Sequence, residues 1–431
     1  MFIFLRLHSC IIQLTECLHM SRFMVIAAIA ISYYVFAILL NSVGTVILQS
    51  INSFDISKPE ASTLEGFKDL SIATVSFLVA SFIPRVGYKL SMLLGLALVA
   101  VACALTPSIA SFWFIKVLFA CIGTAFALVK VSVYAIIGQL SSTTKAHSSL
   151  MNTIEGIFML GVLSGYWVFA GFIDPNNDAS LSWLNVYYLL AALVGFTLIV
   201  VALAPIKPVE KAQSEGLASE FFSMLKLAYK PLVLVFIFSI FLYVLIEQGI
   251  GSWLPTFNKE VLGLPTQVSI QITSIFAIAL AVGRLTAGAV LTRMNWYPFL
   301  NICLAGMATV MLLSLPLAEN VADSTIASWA DAPIAAFLIP LIGLMMAPIY
   351  PVLNSVMLSA LPQHQHAPMT GLIVVFSALG GTTGSIVTGF IFDAVGGQQA
   401  FYLSLIPIGA LVVTLFFFKR ASSSLSPKGA Q

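Results

Sequence analysis

The segment from Pro231 to Leu254, PLVLVFIFSIFLYVLIEQGIGSWL, decides the fold. Its first sixteen residues carry no charge, and Glu247 is the sole charge in the stretch. A helix needs about 20 predominantly apolar residues to cross the roughly 30 Å hydrocarbon core of a bilayer, so this stretch reads as a membrane span. Similar stretches recur at about 23–50, 62–83, 90–107, 111–139, 147–173, 184–205, 267–292, 297–317, 332–360, 367–392 and 398–418. Of 431 residues, 60% are apolar and 8% charged, against about 25% charged in an average soluble domain. No water-soluble fold hides that much apolar surface. The reading is an all-α membrane protein of twelve transmembrane helices, with the lipid bilayer as its principal partner.

The longest polar stretch, between Pro205 and Pro231, leaves six spans on each side. The organisation expected is a leader over 1–21, a six-helix half over 22–205, a linker over 206–230, a second half over 231–419 and a tail over 420–431. The leader has no signal-peptide cleavage site, and Met20 or Met24 is an alternative start. If the halves are duplicates, equivalent positions recur at a constant offset. His147 and His366, Leu160 and Leu379, Gly161 and Gly380, Gly165 and Gly384, and Asp174 and Asp393 are each 219 positions apart. The ends of spans 2 and 8, at Arg85 and Arg293, repeat at an offset of 208. Two pseudo-symmetric six-helix halves related in this way are the architecture of major facilitators, which hold solutes at mid-membrane between rocking halves. Glycines four apart, as at 161/165 and 380/384, let helix backbones approach closely. Pro348 and Pro351 are expected to kink span 10.

A cytoplasmic N-terminus puts Arg6, Arg22, Arg85, Lys89, Lys145, Lys207, Lys211, Lys226, Lys230, Arg293, Lys419, Arg420 and Lys428 on one side. Lys58 and Lys259 lie on the other, with Asp174, Asp178, Glu319, Asp323 and Asp331. That bias is the positive-inside pattern, with both termini cytoplasmic in a cell inner membrane. A net charge of +2 offers nothing to a nucleic acid. Cys103, Cys121 and Cys303 fall in apolar spans and read as small hydrophobes. With no phosphate loop, metal cluster or nucleophile–base pair, an enzyme is not expected, nor a cofactor or metal.

A charge at mid-bilayer costs about 2.5–3.5 kcal/mol on insertion scales, so each one needs a reason. Glu65, Lys68 and Asp69 share one face of span 2 near its outer end. They read either as a helix end in outside water or as a charged lining of the access vestibule. Lys116 snorkels outward. Lys130 on span 4, Glu155 on span 5 and Arg284 on span 8 lie at similar depths, roughly 12–15 Å from one membrane face. Glu155 therefore has two candidate partners, as a static pair or as a carboxylate exchanging between cations. Glu247 has no basic residue evident nearby in the sequence, and a solitary carboxylate in a low-dielectric cavity can carry a proton. Gln248, Trp253, Gly249 and Gly251 add an amide, an indole and room, a combination suited to sugar hydroxyls and ring faces.

FLYVLIEQGIGSWLP in span 7, AVGRLTAGAVLTR in span 8, IYPVLNS in span 10, GSIVTGFIFDAVG in spans 11–12 and NTIEGIFMLGVL in span 5 resemble the fucose–galactose–glucose family of proton-coupled sugar permeases. The resemblance to its glucose/mannose symporters implies a major facilitator fold and proton-coupled uptake of a small solute such as a hexose, with a proton as coupling ion. On that reading Glu247, Gln248, Trp253, Lys130, Glu155 and Asn41 serve substrate binding or coupling, and Arg284, Glu65, Lys68 and Asp69 serve gating or the half interface. The family's carboxylates in spans 1 and 4 are replaced here by the Asn41–Ser42 pair and Ala127, while Lys130 stands one turn further along. That leaves a sugar acid or another small organic anion as an alternative, and a drug-type exporter as a third. A monomer is the expected working unit.

Overall fold

The computed structural model describes residues 2–80, 86–141, 143–206, 217–318, 328–362 and 365–423. Arg85, Lys207, Lys211, Glu319, Asp323 and Lys428 lie outside the described residues. Among those described, regular structure is helical throughout. Eleven segments are long and apolar enough to cross a membrane. The twelfth, Lys58–Ala80, has the length but carries Lys58, Glu60, Glu65, Lys68 and Asp69, which leave it too charged and too polar to be counted with the others. It sits second in the chain and completes two sets of six.

The spans are not all continuous. Span 1 reaches Asn41, breaks at Ser42 and resumes as Val43–Phe54. Span 7 runs Pro231–Gly251, breaks at Ser252–Trp253 and resumes as Leu254–Glu260, whose Pro255 fits a first helical turn. Span 10 is divided by a 3₁₀ turn over Ile339–Leu341 and again where Ile342–Met346 gives way to Ile349–Ser359, so the expected kink falls at Pro348.

The duplicated glycines do the same work in each half. A methyl built on Gly161 would fall 2.5 Å from the Tyr34 carbonyl oxygen on span 1, and one on Gly380 2.5 Å from that of Phe241 on span 7. Gly165 faces Ile38 as Gly384 faces Leu245. The partners on spans 1 and 7 are thus 207 positions apart, which extends the sequence repeat to helices where it was not evident. Span 5 packs on span 1 and span 11 on span 7 through these contacts.

The halves meet where span 2 packs against span 11 and span 5 against span 8. The face carrying the chain ends is called near here, and the opposite one far. Rows of exposed apolar side chains, including Leu94, Val101, Phe196, Leu312, Val413 and Phe416, cover the outside. Such a surface is at home only in lipid, and the molecule is a multi-pass membrane protein.

Candidate functional site

Between the halves lies a cavity of about 80 Å³. Span 1 contributes Asn41 and Gly44, span 2 Lys68, span 5 Tyr166, span 7 Glu247, Gln248, Gly251 and Ser252, and span 8 Phe276. The lining follows the repeat. Asn41 and Gln248, and Gly44 and Gly251, are 207 apart, and Lys68 and Phe276 are 208 apart. Equivalent amides thus face the cavity from both halves, while at the third pair one half offers a cation and the other an aromatic ring. Asn41 donates its Nδ2 to the Ala37 carbonyl at 2.9 Å, which leaves Oδ1 as an acceptor.

Glu247 lines the cavity and accepts a hydrogen bond from the Tyr243 hydroxyl at 3.1 Å. The sequence suggested no cation near it; Arg284 and Lys68 both act on it electrostatically. Neither is close in sequence, and the packing of spans 2 and 8 brings them there. Gln248 accepts from Ser252 Oγ at 3.3 Å. Of the two glycines, Gly251 faces the cavity against Phe276, whereas Gly249 packs on Thr388 of span 11 and provides no room for a ligand. Trp253 is also displaced from its expected place. It is fully buried beyond the break, donates Nε1 to the Ser385 carbonyl at 3.0 Å and lies against Phe392 with centroids 5.4 Å apart.

Glu65, Lys68 and Asp69 neither project into outside water nor line an open vestibule. Their exposures are 0%, 6% and 9%. Lys68 Nζ bonds Glu65 Oε1 and lies 3.4 Å from Asp69 Oδ1. Ser252, across the seam, donates to Glu65 Oε2 at 2.9 Å. The far side is sealed over this cluster, so the helix end expected to be wet is dry. Two straps cross it: Lys58 with Glu260 at 3.2 Å, and Asp178 accepting from Lys259 at 2.6 Å and from Thr266 at 2.7 Å. Trp167 stacks on Trp329 beside them at 5.8 Å. Burial alone would raise the Asp178 carboxyl, but the hydrogen bonds from Lys259 and Thr266 outweigh it and hold it below its ordinary value. Lys116 reaches Glu60 at 3.4 Å, in keeping with a snorkelling side chain.

On the near side, neither ion pair expected of Glu155 forms among the described residues. Glu155 accepts from the Tyr134 hydroxyl at 3.1 Å. Lys130 instead lies over the Phe126 and Tyr134 rings at 5.6 and 5.8 Å. Arg284 crosses to span 5 but meets Met159 Sδ at 3.5 Å. Depth alone cannot assign partners, because residues at one level on different helices point to different azimuths.

The family profile described as Major Facilitator Superfamily matches residues 20–381. A glucose/galactose transporter of Brucella abortus is 25% identical over 346 residues, covering 77% of this chain and 79% of that protein. A bacterial homologue of the human lysosomal transporter Spinster, in an inward-facing and occupied conformation, superposes with a TM-score of 0.76 at 13% identity, over 95% of this chain and 99% of that one. The fucose:proton symporter FucP of E. coli gives 0.60 at 16% identity, over 95% and 100%. Twelve spans in two duplicated halves, a lining that follows the duplication and a profile match over most of the length agree: this chain belongs to the major facilitator superfamily and is a membrane transporter, not an enzyme.

Proposed function

We propose that the protein takes up a hexose or closely similar sugar together with a proton, by alternating access between two six-helix halves. The observation that carries this reading is the cavity lining, in which the Asn41 and Gln248 amides, the Glu247 carboxylate and the Tyr166 and Phe276 rings converge. Amides and a carboxylate pair with neighbouring hydroxyls, and an aromatic face covers the C–H surface of a pyranose. The similarity to a glucose/galactose transporter supports the same substrate class. The lopsided Lys and Arg distribution supports an inner-membrane location with both termini cytoplasmic, so the far face is external. One chain carries both halves and the cavity between them, which makes the monomer a sufficient working unit.

A sugar acid or small organic anion is the second reading. Arg284 is exposed and Lys130 lies over aromatic rings with no acid in ion-pair distance among the described residues, so two cations are available on the near side. Thermal stability of the purified protein separates the two, because a ligand raises stability by mass action. Stabilisation by glucose or galactose, lost in Glu247→Gln, supports the hexose. Stabilisation by hexuronates alone, lost in Lys130→Ala, replaces it with the anion.

A further inference from the structure

The Glu65–Lys68–Asp69 cluster holds two carboxylates against one ammonium, all three residues buried and the Asp69 side chain 12% exposed. Among the described residues, its surroundings supply no second cation. From span 4, Gly123 and Ser71 of span 2 meet beside the Lys68 backbone; from span 11 come Gly381, against Asp69 Oδ2, and Thr382, against Gly66; from span 7 come Gln248 and Ser252. The further ionisable group acting on Asp69 is Glu247, another acid. A buried negative charge without a partner costs several kcal/mol, roughly, and is neutralised instead. Both Glu65 oxygens are engaged, one by Lys68 and one by Ser252, whereas among the described residues Asp69 is held by Lys68 alone. Among the described residues, span 11 also carries a buried hydroxyl without a hydrogen-bond partner, at Ser385. It is fully buried with its Oγ unpaired, and it lies one helical turn from Gly381, which touches Asp69, and one from Gly389, which touches Ser62.

We propose that Asp69 binds the coupling proton, and that the proton held there locks the far side shut through Glu65 and Ser252. This deepens the proposed function and rests on it only in that a coupling ion is required. A sodium ion does not suit the site, because Lys68 already occupies the space between the carboxylates. When the halves part at the far face, water reaches the cluster and Asp69 can exchange its proton with the outside. Reprotonation removes the surplus charge and allows the seam to close. Glu247, which lines the cavity, is then left to hold the solute.

The test needs no solute, so its outcome is independent of the sugar assignment. Spin labels at Asn176→Cys and Ala394→Cys, both exposed on the far face, report the separation of the halves in lipid nanodiscs. The expected result is a shift toward the short, closed distance as pH falls, absent in Asp69→Asn, which stays closed at every pH, and retained in Glu247→Gln. Glu65→Gln, which keeps the side-chain shape, weakens the response without abolishing it. A pH response unchanged in Asp69→Asn, one abolished by Glu247→Gln instead, one that follows sodium at fixed pH, or none in the unmodified protein would each overturn the proposal.

Discussion

Gly44 offers a way to shift the conformational equilibrium without touching a charge. It lies on span 1, across the seam from the break in span 7, and a methyl built on it would sit 2.7 Å from the Ser252 carbonyl oxygen. That is 0.7 Å short of the 3.4 Å at which ordinary contact begins, and the obstacle is backbone. Overpacking of this kind costs about 1–3 kcal/mol. Because Gly44 and Ser252 belong to different halves, the cost falls on the far-closed state and spares the far-open one. At about 1.4 kcal/mol per tenfold, Gly44→Ala lowers the closed-to-open ratio about 5- to 140-fold. Ser62, fully buried against Gly389 of span 11, gives the assay: in a background without other cysteines, maleimide labelling of Ser62→Cys proceeds through the far-open state. Its rate should rise by the same factor. Gly384→Ala is the contrast, since its methyl would run into the Leu245 carbonyl oxygen within one half. It should lower Tm and leave the labelling rate unchanged. If Gly44→Ala lowers Tm with no change in labelling, the glycine serves the fold and the seam argument is wrong.

Three further outcomes follow from the site. Glu247→Gln keeps the shape but removes a charge-assisted bond worth about 1.5–3 kcal/mol, so affinity for a stabilising sugar should fall about 10- to 140-fold by titration calorimetry. Trp253→Phe loses the bond to Ser385 and should lower Tm at a cost of about 1–3 kcal/mol, while sugar affinity is unchanged because the indole does not line the cavity. The Asp178 carboxyl is held below its ordinary value, so its strap is intact at neutral pH and is lost as pH falls below about 3.9. The distance between spin labels at Asn176→Cys and Ala394→Cys should lengthen in that strongly acid range and in high salt, opposite in sign to the effect of the Asp69 proton, and Asp178→Asn should remove the acid-range lengthening.

Much of the fold was legible because a bilayer imposes a length and a composition on each span. Span 2 was identified despite its charges, since its apolar flanks still supply a helix of the right length. The duplication was legible in spans 5 and 11, where glycines pack on a partner backbone and histidines and acids repeat. It was hidden in spans 1 and 7, where the equivalent partners Tyr34 and Phe241 share only a carbonyl. Carrying the repeat into those helices pairs Asn41 with Gln248 and Lys68 with Phe276, a signal that would have marked Phe276 as cavity-lining. Tyr166, Tyr243 and Ser252 had no such mark. What the sequence could not supply was azimuth and tilt. Trp253 follows Glu247 closely but lies past a helix break and turns to span 11; Glu155 shares a depth with Lys130 and finds Tyr134; and the acids of span 2 lie near a helix end that the seam keeps dry.

The most direct measurement is uptake of radiolabelled glucose and galactose into proteoliposomes holding the purified protein, with and without an inward proton gradient. Accumulation above the external concentration that collapses with a protonophore and persists without sodium is the predicted result. Hexose uptake that only equilibrates whatever the gradient, or accumulation of hexuronates with no hexose transport, would contradict proton-coupled hexose uptake.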